Sequence, residues 1–357
     1  MPLTVVSVAY PLAPVSPDAV GGAEQVLSLL DRALAEAGHV SIVIAQAGSR
    51  VAGTLVPIPV SYASRGRLGS QAKLDDAAKA AAQGEVRRLL EGVIAGRAVD
   101  VVHLHGIDFA AYLPPPGAPV LATLHLPLGW YGADALAPAR PRTWLHGVSA
   151  SQTEAAPSSV RLLPPIPNGV DLAAFAAPHA KRRFALMLGR ICPEKGVHLG
   201  MEAARRVEMP LLIGGQVFPY PEHERYFADE VAPRLDAECR FLGPLGLVRK
   251  RRLLGAARCL LVPSLAPETS SLVAREALAA GTPVVALANG ALSEVVEHGR
   301  TGFLAEDVDG LAQGILSSSS LDPASCRQAA RDRFSAGPMI AAYLALYARL
   351  ASERPPC

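Results

Sequence analysis

Short apolar runs alternate with longer amphipathic segments almost without a break, and this alternation limits the chain to a narrow set of folds. In the first half the runs are "LTVVSVA" (3–9), "VSIVIA" (40–45), "TLVPIPV" (54–60), "VDVVHLHG" (99–106), "PVLATLHL" (119–126) and "WLHGVSAS" (144–151). In the second they are "FALMLGRI" (184–191), "PLLIGG" (210–215), "CRFLG" (239–243), "CLLVPS" (259–264) and "GFLA" (302–305). The segments between them carry helical spacing. Val26, Leu29, Leu30, Ala33, Leu34 and Ala37 fall on one helix face, and Gly38 offers a stop. Further helices are predicted over 70–97 (one long or a pair), 194–206, 222–236, from 247, near 309, and over 323–334 and 338–351. Strand and helix in strict alternation predict an α/β chain, with parallel sheets covered on both faces.

The alternation occurs twice, over 3–151 and over 184–305. Between them, residues 161–183 are rich in Pro, Ala and Gly and then basic, which marks a crossover between domains. At 357 residues the chain is long enough for two domains of ordinary size. Hydrophobic residues at 50% and charged residues at 18% describe a globular chain rather than a disordered one. A net charge of +2 and an aromatic content of 5% argue against a nucleic-acid partner. The five cysteines, Cys192, Cys239, Cys259, Cys326 and Cys357, are dispersed with no C-x-x-C pair, which favours a reducing compartment. The first residues read as a strand rather than a leader, and no run reaches the ~18–20 apolar residues of a membrane span. A soluble, cytoplasmic protein is expected.

Chemistry concentrates in "PETSSLVAREALAAGTPVV" (267–285), which follows a strand and leads into a helix ending at Gly281. Glu268 and Glu276 stand with seven residues between them, and Thr269, Ser270 and Ser271 are all good helix N-caps. A helix N-terminus beside a strand end is a seat for an anion, and two carboxylates next to it suit hydroxyl groups. A second stretch, "LGRICPEKG" (188–196), places Arg190 at a strand end and Lys195 in the predicted first helical turn. The helix dipole disfavours a cation there, so an anionic ligand is a good reason for it. Gly21-Gly22-Ala23-Glu24 opens the first helix and allows close approach of backbone N–H groups to an anion. His103, His105 and His125 lie on strand ends; His103 reads as a core histidine, and the pair has no third ligand at metal spacing. Of the D-x-D triplet Asp307-Val308-Asp309, Asp309 is predicted to cap a helix rather than to bind a metal. The basic "VRKRR" (248–252) reads as a solvated helix face, with an anionic membrane surface as the alternative.

The E-x7-E spacing followed by "GTPVV", the Arg190/Lys195 pair, "GGAE", "VSAS" and the linker "PNGVDLAAF" resemble the retaining, nucleotide-sugar glycosyltransferases of the GT-B fold. This is the glycogen-synthase-like group 1, of family 4 type. The chain departs from that family at Ala266 to Ser271, where Glu-Pro-Phe-Gly is frequent. The resemblance implies two Rossmann-like, doubly wound parallel-sheet domains facing across a cleft. They would be an acceptor-side domain at 1–168, a donor-binding domain at 169–336, and a C-terminal helix at 337–357 returning to the first.

It also implies transfer of a hexosyl unit, with retention, from a nucleotide diphosphate sugar to a hydroxyl acceptor: a saccharide, a lipid-linked sugar or a small molecule. Uridine is the expected base. His125, Arg190, Lys195 and Glu268 would act in catalysis. Gly21, Gly22, His105, Gly189, Phe241, Gly243, Ser270, Ser271, Leu272, Val273 and Glu276 would join Arg190, Lys195 and Glu268 in holding the donor. No metal and no cofactor are expected, since the nucleotide sugar is a co-substrate; a peripheral membrane contact stays open. A sugar phosphorylase or nucleotide-sugar epimerase on the same fold, or a non-catalytic binding module, are the alternatives. A dehydrogenase is disfavoured because no G-x-G-x-x-G follows the first strand. The acceptor would be set by loops such as 10–20 and 126–142, with Trp130 and Tyr131.

Overall fold

Runs of Val, Ile, Leu and Ala with little polar interruption form strands buried on both faces, as parallel sheets require. The computed structural model describes residues 1–59 and 76–353; Val60, the start of the helical stretch expected over 70–97, and Cys357 lie outside them. The chain divides into two compact units, Met1–Pro167 with Gly337–Cys357, and Asn168–Ala336.

In the first unit the strands are β1 (Thr4–Val8), β2 (Val40–Gln46), β3 (Thr54–Ile58), β4 (Val101–Leu104), β5 (Val120–Leu124), β6 (Thr143–Gly147) and β7 (Leu162–Leu163). They pair in parallel in the order β3-β2-β1-β4-β5-β6-β7, so the chain reverses direction across the sheet between β1 and β4. Val6, Val8, Ile42, Ile44, Val102, Leu104, Val120 and Ala122 point to one face and build its core. On the opposite face Val43 and Ala45 pack with Leu27 of the Gly22–Glu36 helix. Also opposite that core, His103 and Thr123 meet Tyr343 and Tyr347 of the Ala336–Ser352 helix.

In the second unit the strands are β8 (Ala185–Arg190), β9 (Leu211–Gln216), β10 (Cys239–Phe241), β11 (Cys259–Val262), β12 (Val284–Leu287) and β13 (Gly302–Ala305), in the parallel order β10-β9-β8-β11-β12-β13. Alternate residues enter two separate cores. Leu186, Leu260, Val262, Val284 and Ala286 enter one. Ala185, Met187, Cys259, Leu261 and Val285 enter the other. The period-2 pleat thus serves a helix layer on each face.

Three helix expectations need correction. The helix expected over 194–206 is a 3-10 turn, Pro193–Lys195, and then a helix, Val197–Arg206. Left-handed Gly196 (φ 58) separates them, and a Cβ there would sit 2.1 Å from Pro263 O, so only glycine fits. The helix expected over 222–236 breaks into Pro221–Tyr226, a π turn at Phe227–Val231 and a 3-10 turn at Ala232–Arg234. Pro233 lacks an N–H and crowds the preceding turn, so a regular helix cannot run through it. The cap of the Val308–Ser317 helix is Asp307, which accepts from Gly310 N at 2.8 Å. Asp309 lies inside the first turn and pairs with Arg206 instead.

Candidate functional site

In the second unit the sheet reverses between β8 and β11, the place where open α/β sheets receive ligands. A hollow at the carboxyl ends of those strands is lined by Leu188, Gly189, Arg190, Lys195, Glu268 and Val273, with Gly214 from the end of β9. Lys195 Nζ donates to Glu268 Oε1 at 2.5 Å, and Ser264 Oγ donates to the same oxygen at 2.5 Å. Burial pushes the Glu268 carboxyl up, but Lys195, Ser264 and Arg190 outweigh it and hold the group below its usual value. Glu268 is therefore a fixed carboxylate, with Lys195 pinned to it and Arg190 lining the same hollow. Its backbone is fixed as well: Ala291 N donates to Glu268 O at 2.7 Å. Gly290 (φ 61) passes so close that a Cβ there would lie 2.4 Å from Glu268 O.

Glu276 sits one turn along the Leu272–Ala279 helix from Val273 and is 4% exposed. Its Oε1 accepts from Lys250 Nζ at 2.7 Å, and Lys250 also lies over the Phe175 ring at 5.8 Å. This corrects the reading of "VRKRR" as a solvated face, because Lys250 turns inward from the Leu247–Ala256 helix with its side chain only 15% exposed. Removing one partner of a buried ion pair leaves a charge without compensation, at a cost of about 3–5 kcal/mol. Lys250→Ala is expected to lower stability by about that amount in denaturant unfolding. A Lys250→Met/Glu276→Gln double variant should recover much of the loss, and equal losses in both would show that the pair is not the cause.

The start of the Leu272–Ala279 helix is unusual. Ser271 stands at the N-cap in the left-handed region (φ 51) and its side chain makes no cap hydrogen bond. The Ser270 and Ser271 hydroxyls and Asn168 Oδ1 are buried with no hydrogen-bond partner. Arg275, which is 2% exposed, holds this corner by donating to Ser270 O at 3.1 Å and to Asn168 O, and it stacks over Phe334 at 5.0 Å. Leu272 opens the helix beside them. Phe241 and Gly243 stand at the end of edge strand β10, two strands from β8, and outside the lining of the hollow. Phe241 packs on Phe227 with ring centroids 5.1 Å apart, and Gly243 O accepts from Gly215 N at 2.9 Å. Lys250, Ser264 and Arg275 all lie in stretches singled out in the sequence, "VRKRR", "CLLVPS" and the 267–285 segment, but no local signal distinguishes them as site residues.

In the first unit Gly21 and Gly22 open the Gly22–Glu36 helix after β1. His105 and His125 follow β4 and β5, and His105 Nδ1 and His125 Nε2 share a hydrogen bond of 3.0 Å. Burial and the neighbouring histidines drive both below the usual imidazole value, His125 to about 3. His105 Nε2 is buried and without a partner. Two neutral rings of this kind suit hydrogen bonding to hydroxyl groups better than proton transfer.

Two doubly wound parallel sheets, each with its own reversal point, place the molecule in the GT-B class of glycosyltransferases. A crystal structure of a glycosyltransferase involved in Avilamycin A biosynthesis matches over 99% of both chains, with a TM-score of 0.73 and 25% identity. Residues 182–319 match the family described as Glycosyl transferases group 1. The chain is 29% identical over 348 residues to the phosphatidyl-myo-inositol mannosyltransferase of Mycolicibacterium smegmatis, covering 85% of this chain and 82% of that protein. It is 35% identical over 180 residues to the glycogen synthase of Mycobacterium tuberculosis, covering 46% of this chain and 42% of that one. The match to the group 1 glycosyltransferases thus lies in the second unit, and the chain as a whole has the fold of the GT-B glycosyltransferases.

Proposed function

We propose that the second unit holds a nucleotide diphosphate sugar, with uridine as the base, and that the enzyme moves its hexosyl unit to a hydroxyl acceptor with retention. The observation that carries this reading is the hollow in which Arg190, Lys195 and Glu268 converge at the sheet's reversal point. Cleavage of the bond from the anomeric carbon to the diphosphate builds negative charge on the bridging oxygen. Arg190 and Lys195 are preorganised cations at that place, and they supply neutralisation that a metal ion would otherwise give. Glu268, held ionised, accepts hydrogen bonds from sugar hydroxyls. The free hydroxyls of Ser270 and Ser271, with the N–H groups at the start of the helix, suit a phosphate or sugar oxygen. Glu276, oriented by Lys250, accepts from the ribose hydroxyls.

No group in the hollow acts as a base towards the acceptor. Glu268 is engaged by Lys195 and Ser264, and its lowered proton affinity makes it a poor proton acceptor. That favours the front-face route, in which a leaving phosphate oxygen takes the proton from the attacking hydroxyl as the new glycosidic bond forms on the same face. In the first unit the neutral His105 and His125 and the glycines Gly21 and Gly22 offer hydrogen bonds to sugar or phosphate oxygens. Calorimetric titration with uridine, guanosine and adenosine diphosphates and their sugars tests the donor. One uridine nucleotide is expected to bind the wild type and to bind Glu276→Ala at least tenfold more weakly. Failure of the wild type to bind any of them would defeat the assignment.

A further inference from the structure

Beside the diphosphate hollow, and in the same unit, lies a cluster that the transfer reaction does not use. Cys192 Sγ, a Glu194 carboxylate oxygen and a ring nitrogen of His223 all lie within 4.8 Å of one another. Cys192 and Glu194 belong to the turn that follows β8, and His223 to the Pro221–Tyr226 helix after β9. Cys192 is fully buried and His223 is 6% exposed. Glu194 Oε2 and His223 Nδ1 are both buried with no hydrogen-bond partner. Leaving two buried polar atoms without a partner is costly unless a ligand satisfies them. The imidazole is wedged edge-on against two aromatic rings, Tyr220 at 5.1 Å and Phe218 at 6.5 Å, which fixes its plane.

We propose that these three side chains bind a zinc ion. Thiolate, imidazole and carboxylate are zinc's ordinary protein donors, and three of them with a solvent ligand complete a tetrahedron. Bonds of about 2.0–2.3 Å require ligand atoms about 3.5 Å apart, so the cluster must contract by about 1.3 Å at most. Small side-chain rotations supply that. The thiolate and the carboxylate together balance the ion's double charge, which the site needs because Arg190 acts on all three side chains as a nearby cation. On binding, the thiol gives up its proton to solvent and no redox step is involved. The ion ties the Cys192–Glu194 turn, which continues into Lys195, to the helix after β9. It would therefore stiffen the cation pair without touching the transferred sugar. This inference does not depend on the donor assignment.

The test uses the full chain, stripped with chelator and titrated with Zn2+ and with Co2+. One metal per chain is expected by elemental analysis after equilibrium dialysis, and the Co2+ form should show a thiolate-to-metal charge-transfer absorption. Cys192→Ser should abolish that band, and Cys192→Ser and His223→Gln should each weaken binding at least tenfold. Cys239→Ser, a buried cysteine elsewhere, should leave both readings unchanged. Wild-type protein that binds no stoichiometric Co2+, or shows no thiolate band, overturns the proposal whether or not the variants fold. A band that survives in Cys192→Ser overturns it too.

Discussion

Lys195→Ala is expected to lower the rate of sugar transfer by about 100–1,000-fold, the usual loss when one preorganised donor to developing charge is removed. The lysine is held at its place by geometry rather than by helix propensity. It closes a 3-10 turn whose next residue, Gly196, is left-handed and pressed against Pro263 O, so the turn cannot slide into a longer helix. Its Nζ is pinned to Glu268 at 2.5 Å, and its side chain keeps 30% exposure towards the hollow. If the role is charge stabilisation in the transition state, kcat should carry most of the loss. Donor affinity, measured by calorimetry, should then fall much less. Lys195→Arg should recover only part of the rate, since a larger, planar guanidinium spreads its charge and does not reproduce the compact ammonium at this place. Glu268→Gln separates the two partners: it keeps the hydrogen-bonding shape and removes the charge that positions Lys195. A Lys195→Ala enzyme that keeps kcat within about threefold of wild type would remove the lysine from the reaction.

Much of this was legible in the chain because backbone rules act locally. The β-branched and leucine-rich runs had to become doubly buried strands, and Leu186 against Ala185 and Met187 already spelled out two faces. The motif spacings named Arg190, Lys195 and Glu268 because strand ends of a parallel sheet converge. What stayed hidden depends on partners far along the chain. In "VRKRR" nothing distinguishes Lys250 from its neighbours until the helix packs and one side chain meets Glu276, 26 residues on. Thr269, Ser270 and Ser271 have cap chemistry, yet the turn takes Ser271 left-handed and leaves two hydroxyls free. The choice between Asp307 and Asp309 could have been made from sequence. Leu311, Ala312 and Ile315 are the buried positions of a helix whose first residue is Val308, so the cap had to come before it. The histidines of the first unit look alike in sequence, and their different surroundings arise from a helix more than 200 residues away.

Those histidines make the first unit acid-labile. His146 Nδ1 lies 2.8 Å from Gly147 O, and a carbonyl only accepts, so Nδ1 carries the proton and Nε2 accepts from Thr123 Oγ1 at 2.7 Å. With its proton spent, Thr123 Oγ1 accepts from His103 Nε2 at 2.7 Å and from Tyr343 at 3.3 Å, leaving His103 Nδ1 to accept from Tyr347 at 2.7 Å. Every link assumes neutral rings, and protonating either histidine turns an acceptor into a donor facing a donor. Burial, then mutual repulsion, lowers His103 and His105 well below the usual value and His125 to about 3, while burial brings His146 to about 4. The unfolded chain therefore takes up protons below its value of about 6.5 that the folded unit refuses, and stability falls as pH falls. For His146 the loss continues to about pH 4 and for His125 to about pH 3. Each group approaches about 1.4 kcal/mol per pH unit. Together they compete with the about 5–15 kcal/mol of a whole domain before pH 5 is passed. Both tryptophans, Trp130 and Trp144, lie in this unit, so their fluorescence reports its unfolding. The urea midpoint so measured is expected to drop steeply between pH 7 and pH 5. His146→Asn should flatten the slope by about one proton, whatever its effect on stability at pH 7. A midpoint that barely moves over that range would mean that the folded rings take up protons as readily as the unfolded chain does, which the directed chain of hydrogen bonds does not permit.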